Sequence, residues 1–156
     1  MKTPTQLKSL PRHIRGMSLI EVLVAVVVLA VGMLGVASMQ ALALRGGQGS
    51  LESSQAVMAA NSIIEAMRAN RLNAAAYVFN GTAACATVPA AGGSLASNDL
   101  NNWVTQLKAT IGTGAGDTTT CGSITQAGGV YTVTVQWDDR RAGGAQTRTV
   151  VTEARI

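Results

Sequence analysis

The chain has 156 residues, 47% hydrophobic and only 13% charged, which leaves room for one domain with an appended segment and excludes a disordered chain. Its formal net charge is +4, but four of its 12 basic residues, Lys2, Lys8, Arg12 and Arg15, lie in the first 16 positions, where there is no acid. The rest of the chain balances 8 basic against 8 acidic residues, which argues against nucleic acid as a partner.

An uncharged stretch follows this basic segment. Residues 22–44 contain no charged side chain, and as a helix these 23 residues would extend roughly 35 Å, enough to cross a bilayer core of about 30 Å. Positive charge before the stretch, and its near absence just after it, place the N-terminus in the cytoplasm. We therefore predict one membrane-spanning helix over residues 17–44.

An ordinary secretory signal peptide is the alternative. Ala41, Leu42 and Ala43 form a small-x-small sequence of the kind that signal peptidase recognises. However, the uncharged stretch is longer than an ordinary signal core of about 7–15 residues. It also carries Glu21 at its leading edge, where a carboxylate is costly and a plain signal peptide gives it no purpose.

Residues 15–24, RGMSLIEVLV, resemble the class III signal of type IV pilins and pseudopilins. In that family the basic leader ends in glycine, prepilin peptidase cuts after it and methylates the new amine, and a glutamate stands fifth in the mature chain. Gly16, Met17 and Glu21 match these positions, so the resemblance implies a leader over residues 1–16. Together with the later run VGMLGVASMQ, the segment is most similar to minor pilins of the PilV type.

Glu21 has a physical role in this interpretation. A lone carboxylate in an apolar environment is costly, whereas one paired with a cation of a neighbouring chain is tolerable and directional. We therefore expect Glu21 to dock beside the N-terminal amine of another subunit. The alternative is a carboxylate solvated at the membrane surface.

Small residues recur along the apolar helix at positions 32, 35 and 38. Gly32, Gly35 and Ser38 would allow close helix packing, although membrane helices also tolerate glycine without such a role. The next segment, RGGQGS at 45–50, predicts a break in the helix because each glycine weakens a helix by about 1 kcal/mol relative to alanine.

Helical periodicity returns over residues 51–76, so residues 45–76 are predicted as the periplasmic part of a long, interrupted helix. Ala60, Ile63, Ile64 and Met67 form an apolar stripe that suits packing against a small sheet, while Asn61, Glu65 and Arg68 group on another face.

Residues 77–156 are predicted to form a small globular head. Residues 81–93 and 112–122 are rich in loop-forming residues, and Asp99 is a candidate cap for a short helix with an apolar face, composed of Leu100, Trp103, Val104, Leu107 and Ile111. Strict alternation of apolar and polar residues predicts a strand over residues 130–137. Residues 138–144 are turn-like, and residues 147–155 are predicted to form a return strand. The expected fold class is α+β: a pilin-like long N-terminal helix packed on a small antiparallel sheet.

The head contains the two cysteines of the chain, Cys85 and Cys121. In an oxidising compartment such a pair most simply forms a disulfide, and buried free thiols are the alternative. Two thiols without a histidine do not complete a zinc site, so no metal is expected there.

Catalytic chemistry has little support in the sequence. His13, the only histidine, lies in the predicted leader, and no glycine cluster has the ending of a phosphate-binding loop. Asp138 and Asp139 are candidates for a calcium site, but beside Arg140 and Arg141 a solvated turn is favoured. We expect neither enzymatic activity nor a cofactor.

The resemblance implies a minor pilin that spans the inner membrane once, with a periplasmic head, and is then assembled into an extracellular pilus. Its partners would be prepilin peptidase, inner-membrane lipid, the major pilin, other minor pilins and a PilY adhesin, with roles in initiating assembly and presenting the adhesin. The first alternative is an I-type minor pseudopilin of a type II secretion system, although that subunit usually has Phe where this chain has Met17. The second is a secreted or membrane-anchored periplasmic binding domain.

Overall fold

The computed structural model describes residues 16–80, 85, 87–144 and 147–156. Contacts divide the chain into two compact units, the first ending at Gln40 and the second running from Ala41 to Ile156. The four basic residues of the predicted leader and His13 lie outside the described residues.

The first helix, α1 (Leu19–Ala69), is 51 residues long. Within the described residues it is the one helix long and apolar enough to cross a membrane, since its most apolar window has a mean hydropathy of 2.8 and none of that window is buried. The first unit therefore exposes apolar side chains all round its helix.

The predicted break at residues 45–50 is wrong, because α1 continues through them. The reason is tertiary packing around Gly49, which is buried. A Cβ at Gly49 would lie 3.2 Å from the side chain of Ala142 and 3.6 Å from that of Asp139, so the missing side chain lets this loop approach the helix closely. Contacts with the head thus compensate for the low helix propensity of glycine.

The second unit contains the rest of α1, and here the predicted apolar stripe is confirmed. Ala60, Ile63, Ile64 and Met67 are buried in one core with α2 and the sheet. On the exposed side Glu65 and Arg68 form an ion pair. The α-helix ends at Ala69, earlier than predicted, and a 3₁₀ segment (Arg71–Tyr77) follows. Local amide hydrogen bonding competes with the helix at this point, since Asn73 Nδ2 donates to Asn70 Oδ1 at 2.9 Å.

The second helix, α2 (Leu95–Thr110), confirms the predicted short helix but begins earlier. Its N-cap is Ser94, whose side chain accepts a hydrogen bond from the Ser97 amide in a capping box. The prediction that Asp99 caps the helix is therefore wrong. Asp99 lies inside the first turns, where its carboxylate accepts a hydrogen bond from the Tyr77 hydroxyl at 2.5 Å. Burial raises the pKa of Tyr77, and the bond to Asp99 raises it further.

The sheet is an antiparallel meander of β1 (Cys121–Ala127), β2 (Val130–Trp137) and β3 (Arg148–Arg155) in the order β1-β2-β3. β2 has the predicted bounds, and its alternation is confirmed by four buried side chains, those of Tyr131, Val133, Val135 and Trp137. Gly128 and Gly129, with φ of 57° and 79°, make the tight turn between β1 and β2. Long helix and small antiparallel sheet together confirm the predicted α+β fold class.

The first strand was not predicted, and Gly122 shows why. A Cβ on Gly122 would lie 2.3 Å from the Trp103 ring, so the indole of α2 occupies the space that a strand side chain would fill. Trp103 Nε1 in turn donates to the carbonyl of Ala59 on α1 at 2.9 Å. β1 therefore lacks the alternation of buried and exposed side chains that predicts a strand, because a ring from α2 fills the space beside Gly122.

Cys85 and Cys121 form a disulfide, and no cysteine of the chain is free. The bond joins residues 36 positions apart, and α2 lies between them in sequence. A loop of this size contributes roughly 3–4 kcal/mol to the free energy of unfolding when it is closed.

Gly122→Ala is expected to lower the free energy of unfolding by about 1–3 kcal/mol, because the new methyl group overlaps the Trp103 ring. Gly116→Ala is the matched control, since a Cβ there meets no atom within 4 Å. Urea denaturation of both variants in detergent, followed by circular dichroism, measures the difference. Equal stability of the two variants would contradict this packing account.

Candidate functional site

The site begins where the helix begins. Gly16, Met17 and Ser18 are exposed and not helical. The Ser18 carbonyl accepts hydrogen bonds from the backbone amides of Glu21 at 3.0 Å and Val22 at 3.2 Å, and these bonds begin α1. The predicted cleavage bond between Gly16 and Met17 therefore lies in exposed, non-helical backbone immediately before a long helix.

Gly16 has no structural reason to be glycine in the fold described here. A Cβ at this position would meet no atom within 4 Å, and Gly16 is not among the glycines with positive φ. Its role must therefore be sought outside the folded chain. Recognition by a processing enzyme is one such role.

Glu21 is the one acidic residue in the first turn of α1. Its carboxylate lies at the positive end of the helix dipole, a favourable position for negative charge. The side chain is exposed, and so are its neighbours Ile20 and Val22, at 65% and 43%. Glu21 is thus a single charge at the end of an uncovered apolar surface.

The same helix carries a shallow apolar groove of about 520 Å³, lined by Val28, Leu29, Gly32, Met33, Val36, Ala37 and Gln40. Cβ atoms added at Gly32 or Gly35 would meet nothing within 4 Å, so no contact within the described chain requires these glycines. A surface this apolar and this open is typical of a segment that lipid or other helices cover.

The polar contacts of Glu52 within the second unit were not predicted from the sequence. Glu52 on α1 accepts a hydrogen bond from Trp137 Nε1 at 3.1 Å and pairs with Arg141 at 3.3 Å. Arg141 also donates to the carbonyl of Ile111 after α2. A single acid on α1 therefore contacts the end of β2 and the following turn. Nothing in the local sequence around Glu52 distinguishes it from an ordinary exposed helix residue.

The aspartates considered for calcium are paired with arginines instead. Asp138 binds Arg140, and this hydrogen bond holds the pKa of Asp138 below its usual value. Asp139 pairs with Arg148 at 3.1 Å. Among the described residues no group of three or more acidic, histidine or cysteine side chains could hold a metal ion.

A second unpredicted feature is a loop organised by Asp117. Its buried carboxylate accepts hydrogen bonds from the amides of Thr113 (2.8 Å), Thr119 (2.6 Å) and Thr120 (3.0 Å), and from the hydroxyls of the last two. The Asp117 carbonyl and that of Cys85 both accept from buried Lys108. An aspartate followed by threonines is a recognisable turn signal, and it anchors the loop before β1.

Comparison with known protein families matches residues 11–37 to one described as the prokaryotic N-terminal methylation motif. The chain carries a prepilin-type N-terminal methylation motif. This motif supports the predicted resemblance to the type IV pilin and pseudopilin superfamily, whose members are structural proteins. No curated protein and no solved structure was found to match the chain.

The motif contains all three predicted processing and assembly residues, Gly16, Met17 and Glu21. It indicates a prepilin-like protein of a type IV pilus or a type II secretion system. It implies processing by prepilin peptidase and assembly with other pilins, and the apolar helix that follows is suited to membrane anchoring.

The Asp117 loop is expected to make the head sensitive to acid, because its hydrogen bonds favour the charged carboxylate. Burial alone would raise the pKa of Asp117, but the bonds from Thr119, Thr113 and Thr120 outweigh it and hold the pKa well below its usual value. Because the native pKa lies below the unfolded value of about 3.9, the stabilisation is complete above that pH and is lost as pH falls toward the native pKa.

We therefore expect the unfolding free energy of the native chain to fall steeply below about pH 4, and that of Asp117→Asn to fall less. At neutral pH the variant should be less stable by about 1–3 kcal/mol. Glu153→Gln, which removes an exposed carboxylate, is the control. Urea titrations from pH 7 to pH 2.5 measure both effects. If the unfolding free energy of the native chain and of Asp117→Asn fell equally below about pH 4, this role of Asp117 would be refuted.

Proposed function

We propose that this protein is a minor pilin of the PilV type, made as an inner-membrane precursor and assembled at or near the tip of a type IV pilus. The observation that carries the proposal is the continuity of the methylation motif with an uncovered apolar helix. Such a surface must be covered, first by lipid and, after assembly, by the helices of other pilins.

Processing follows from the position of Gly16. Cleavage after Gly16 removes the four basic residues of the leader, the charges that hold the N-terminus on the cytoplasmic side. The new N-terminus is the amine of Met17, which prepilin peptidase then methylates. The chain left in the membrane is one apolar helix with an amine and a carboxylate at its end and a periplasmic head.

Glu21 determines the axial position of the subunit during assembly. Once water and lipid headgroups are replaced by neighbouring helices, an unpaired carboxylate is strongly unfavourable. Pairing with the N-terminal amine of an adjacent subunit relieves this cost at one axial offset only. Glu21 therefore selects the position at which the subunit docks.

The head is the part of the subunit that folds in the periplasm, and its disulfide suits that oxidising compartment. As a minor pilin at the tip, the protein would act with other minor pilins to initiate the fibre on the major pilin and help to present a PilY adhesin. These partners follow from the PilV-type resemblance of residues 16–40.

An I-type pseudopilin of a type II secretion system is the second candidate, because the matched motif is common to both machines. Met17 in place of the usual Phe favours the pilus, and so does a head with a disulfide-closed loop. Deletion of the gene distinguishes the two: loss of surface pili with normal exoprotein export supports the minor pilin, and the reverse supports the pseudopilin.

Gly16→Val is expected to block leader removal, because the larger side chain would stand at the bond that prepilin peptidase cuts. The uncut chain should remain in the membrane, since no described neighbour opposes the added side chain. Gly47→Ala, another position where a Cβ meets nothing within 4 Å, should be cleaved normally. Immunoblots of the two variants report precursor and mature forms, and N-terminal sequencing of the native chain should give N-methylated Met17. A mature chain that begins at Leu44 would refute the prepilin interpretation.

Glu21→Ala should be cleaved and inserted normally but recovered in sheared pili, or with other minor pilins, at about one tenth of the native level or less, because breaking a desolvated ion pair costs on the order of 3 kcal/mol. Glu65→Ala on the same helix removes an exposed, ion-paired acid and is the control. Quantitative immunoblots of pilus and membrane fractions measure incorporation. Recovery of Glu21→Ala equal to that of the control would count against the pairing role.

A further inference from the structure

A cavity of about 460 Å³ in the second unit lies between α1 and the loop that precedes β3. Arg45, Ser50 and Ser53 line it from the helix, and Asp139 and Arg148 line it from the head. The function proposed above uses none of these side chains.

The cavity has an excess of positive charge. Arg148 pairs with Asp139, whose side chain is 7% exposed, and lies 6.0 Å from the centroid of the Trp137 ring, so it is held in place from two sides. Arg45 is exposed and has no hydrogen bond or ion pair with any other described residue. Two guanidinium groups against one carboxylate leave one uncompensated positive charge.

The walls of the cavity are shaped by glycine. A Cβ at Gly144 would lie 1.9 Å from Asp139 Oδ2, so this position accepts no side chain. A Cβ at Gly143 would contact Cδ of Arg45 at 3.8 Å, which places the arginine stem over the loop backbone. Asp139 Oδ1 is enclosed and has no hydrogen-bond partner. Because the other oxygen of this carboxylate pairs with Arg148, the uncompensated charge available to a ligand is that of Arg45.

The position of Arg45 in the chain indicates the ligand. It is the first charged residue after the uncharged residues 22–44, so in a membrane-inserted chain it lies where the hydrocarbon ends and the phosphate groups of the lipid begin. Guanidinium groups bind phosphate through paired, charge-assisted hydrogen bonds. The serine hydroxyl groups of Ser50 and Ser53 add polar lining beside them.

We propose that this cavity binds the phosphate headgroup of an anionic phospholipid, held by Arg45 and Arg148. The proposal rests on the membrane-inserted state of the precursor described above. Occupation by lipid would hold the head against the membrane surface before assembly, and removal of the subunit from the bilayer would empty the site.

Gly46 allows a clean test because it lines the cavity and a Cβ there would meet nothing within 4 Å. Gly46→Glu places a negative charge in the cavity, and Gly46→Gln places a neutral side chain of the same size there. Arg45→Ala removes a binding group, and Arg71→Ala removes an exposed arginine outside the cavity.

The four full-length variants and the native chain are purified in a neutral detergent and titrated with phosphatidylglycerol or phosphatidylcholine, and bound lipid is counted by native mass spectrometry. We expect Gly46→Glu and Arg45→Ala to bind phosphatidylglycerol about fivefold or more weakly than their controls. The native chain should retain phosphatidylglycerol better than phosphatidylcholine, and glycerol phosphate should compete poorly.

Equal retention in Gly46→Glu and Gly46→Gln, or in Arg45→Ala and Arg71→Ala, would overturn the site. Equal retention of the two lipids by the native chain would also overturn it. Competition by glycerol phosphate at the same concentration as the lipid would show a site for soluble phosphate and refute the lipid assignment. Each of these results leaves the Glu21 assembly test unaffected, so failure of the lipid site and failure of the pilin proposal are distinguishable.

Discussion

The buried stripe along the second half of α1 is the surface on which the head is built. Small and aliphatic side chains between Ala56 and Met67 let α2 and the sheet pack against the helix in one core. Two indole groups anchor this packing through their polar atoms, Trp103 on the carbonyl of Ala59 and Trp137 on the carboxylate of Glu52. Because a buried N–H without a partner costs about 1–3 kcal/mol, these two bonds orient the head elements as well as holding them.

One helix thus serves two environments. Over residues 19–40 α1 has no buried residue, whereas from Gly49 to Met67 it has a buried face. The apolar surface of the first part is left uncovered by the described chain, whereas the buried face of the second part packs against the head. In the proposed function, this difference would let the subunit keep a folded head while its apolar helix leaves the membrane and enters a fibre.

Charged residues stand at both ends of the apolar part of α1 and none lies within residues 22–44. Glu21 stands at the start of the apolar helix, and Arg45 is the first charge after it. In the second unit, Glu52 on α1 and Asp139 in the head each pair with an arginine, so their cost of burial is offset within the fold. Glu21 and Arg45 have no ion-pair partner among the described residues, which is why their partners are sought outside the chain.

Local sequence determined the features that depend on periodicity and composition. The apolar segment after residue 21, the stripe on α1, the apolar face of α2 and the strand Val130–Trp137 were all predictable, because helices and strands repeat their buried positions every 3.6 and 2 residues. The motif around Gly16 and Glu21 could also be recognised from sequence, because all of its residues lie within one short segment.

Tertiary structure decided what depends on a distant partner. The helix continues through residues 45–50 because the loop at Ala142 packs against it at Gly49, and β1 forms around Gly122 because the Trp103 ring fills the missing side-chain space. Neither contact leaves a local pattern, since the compensating atoms lie far away in sequence. The cavity between Arg45 and Arg148 has the same origin: its two arginines are 103 positions apart and share a site only after the chain has folded.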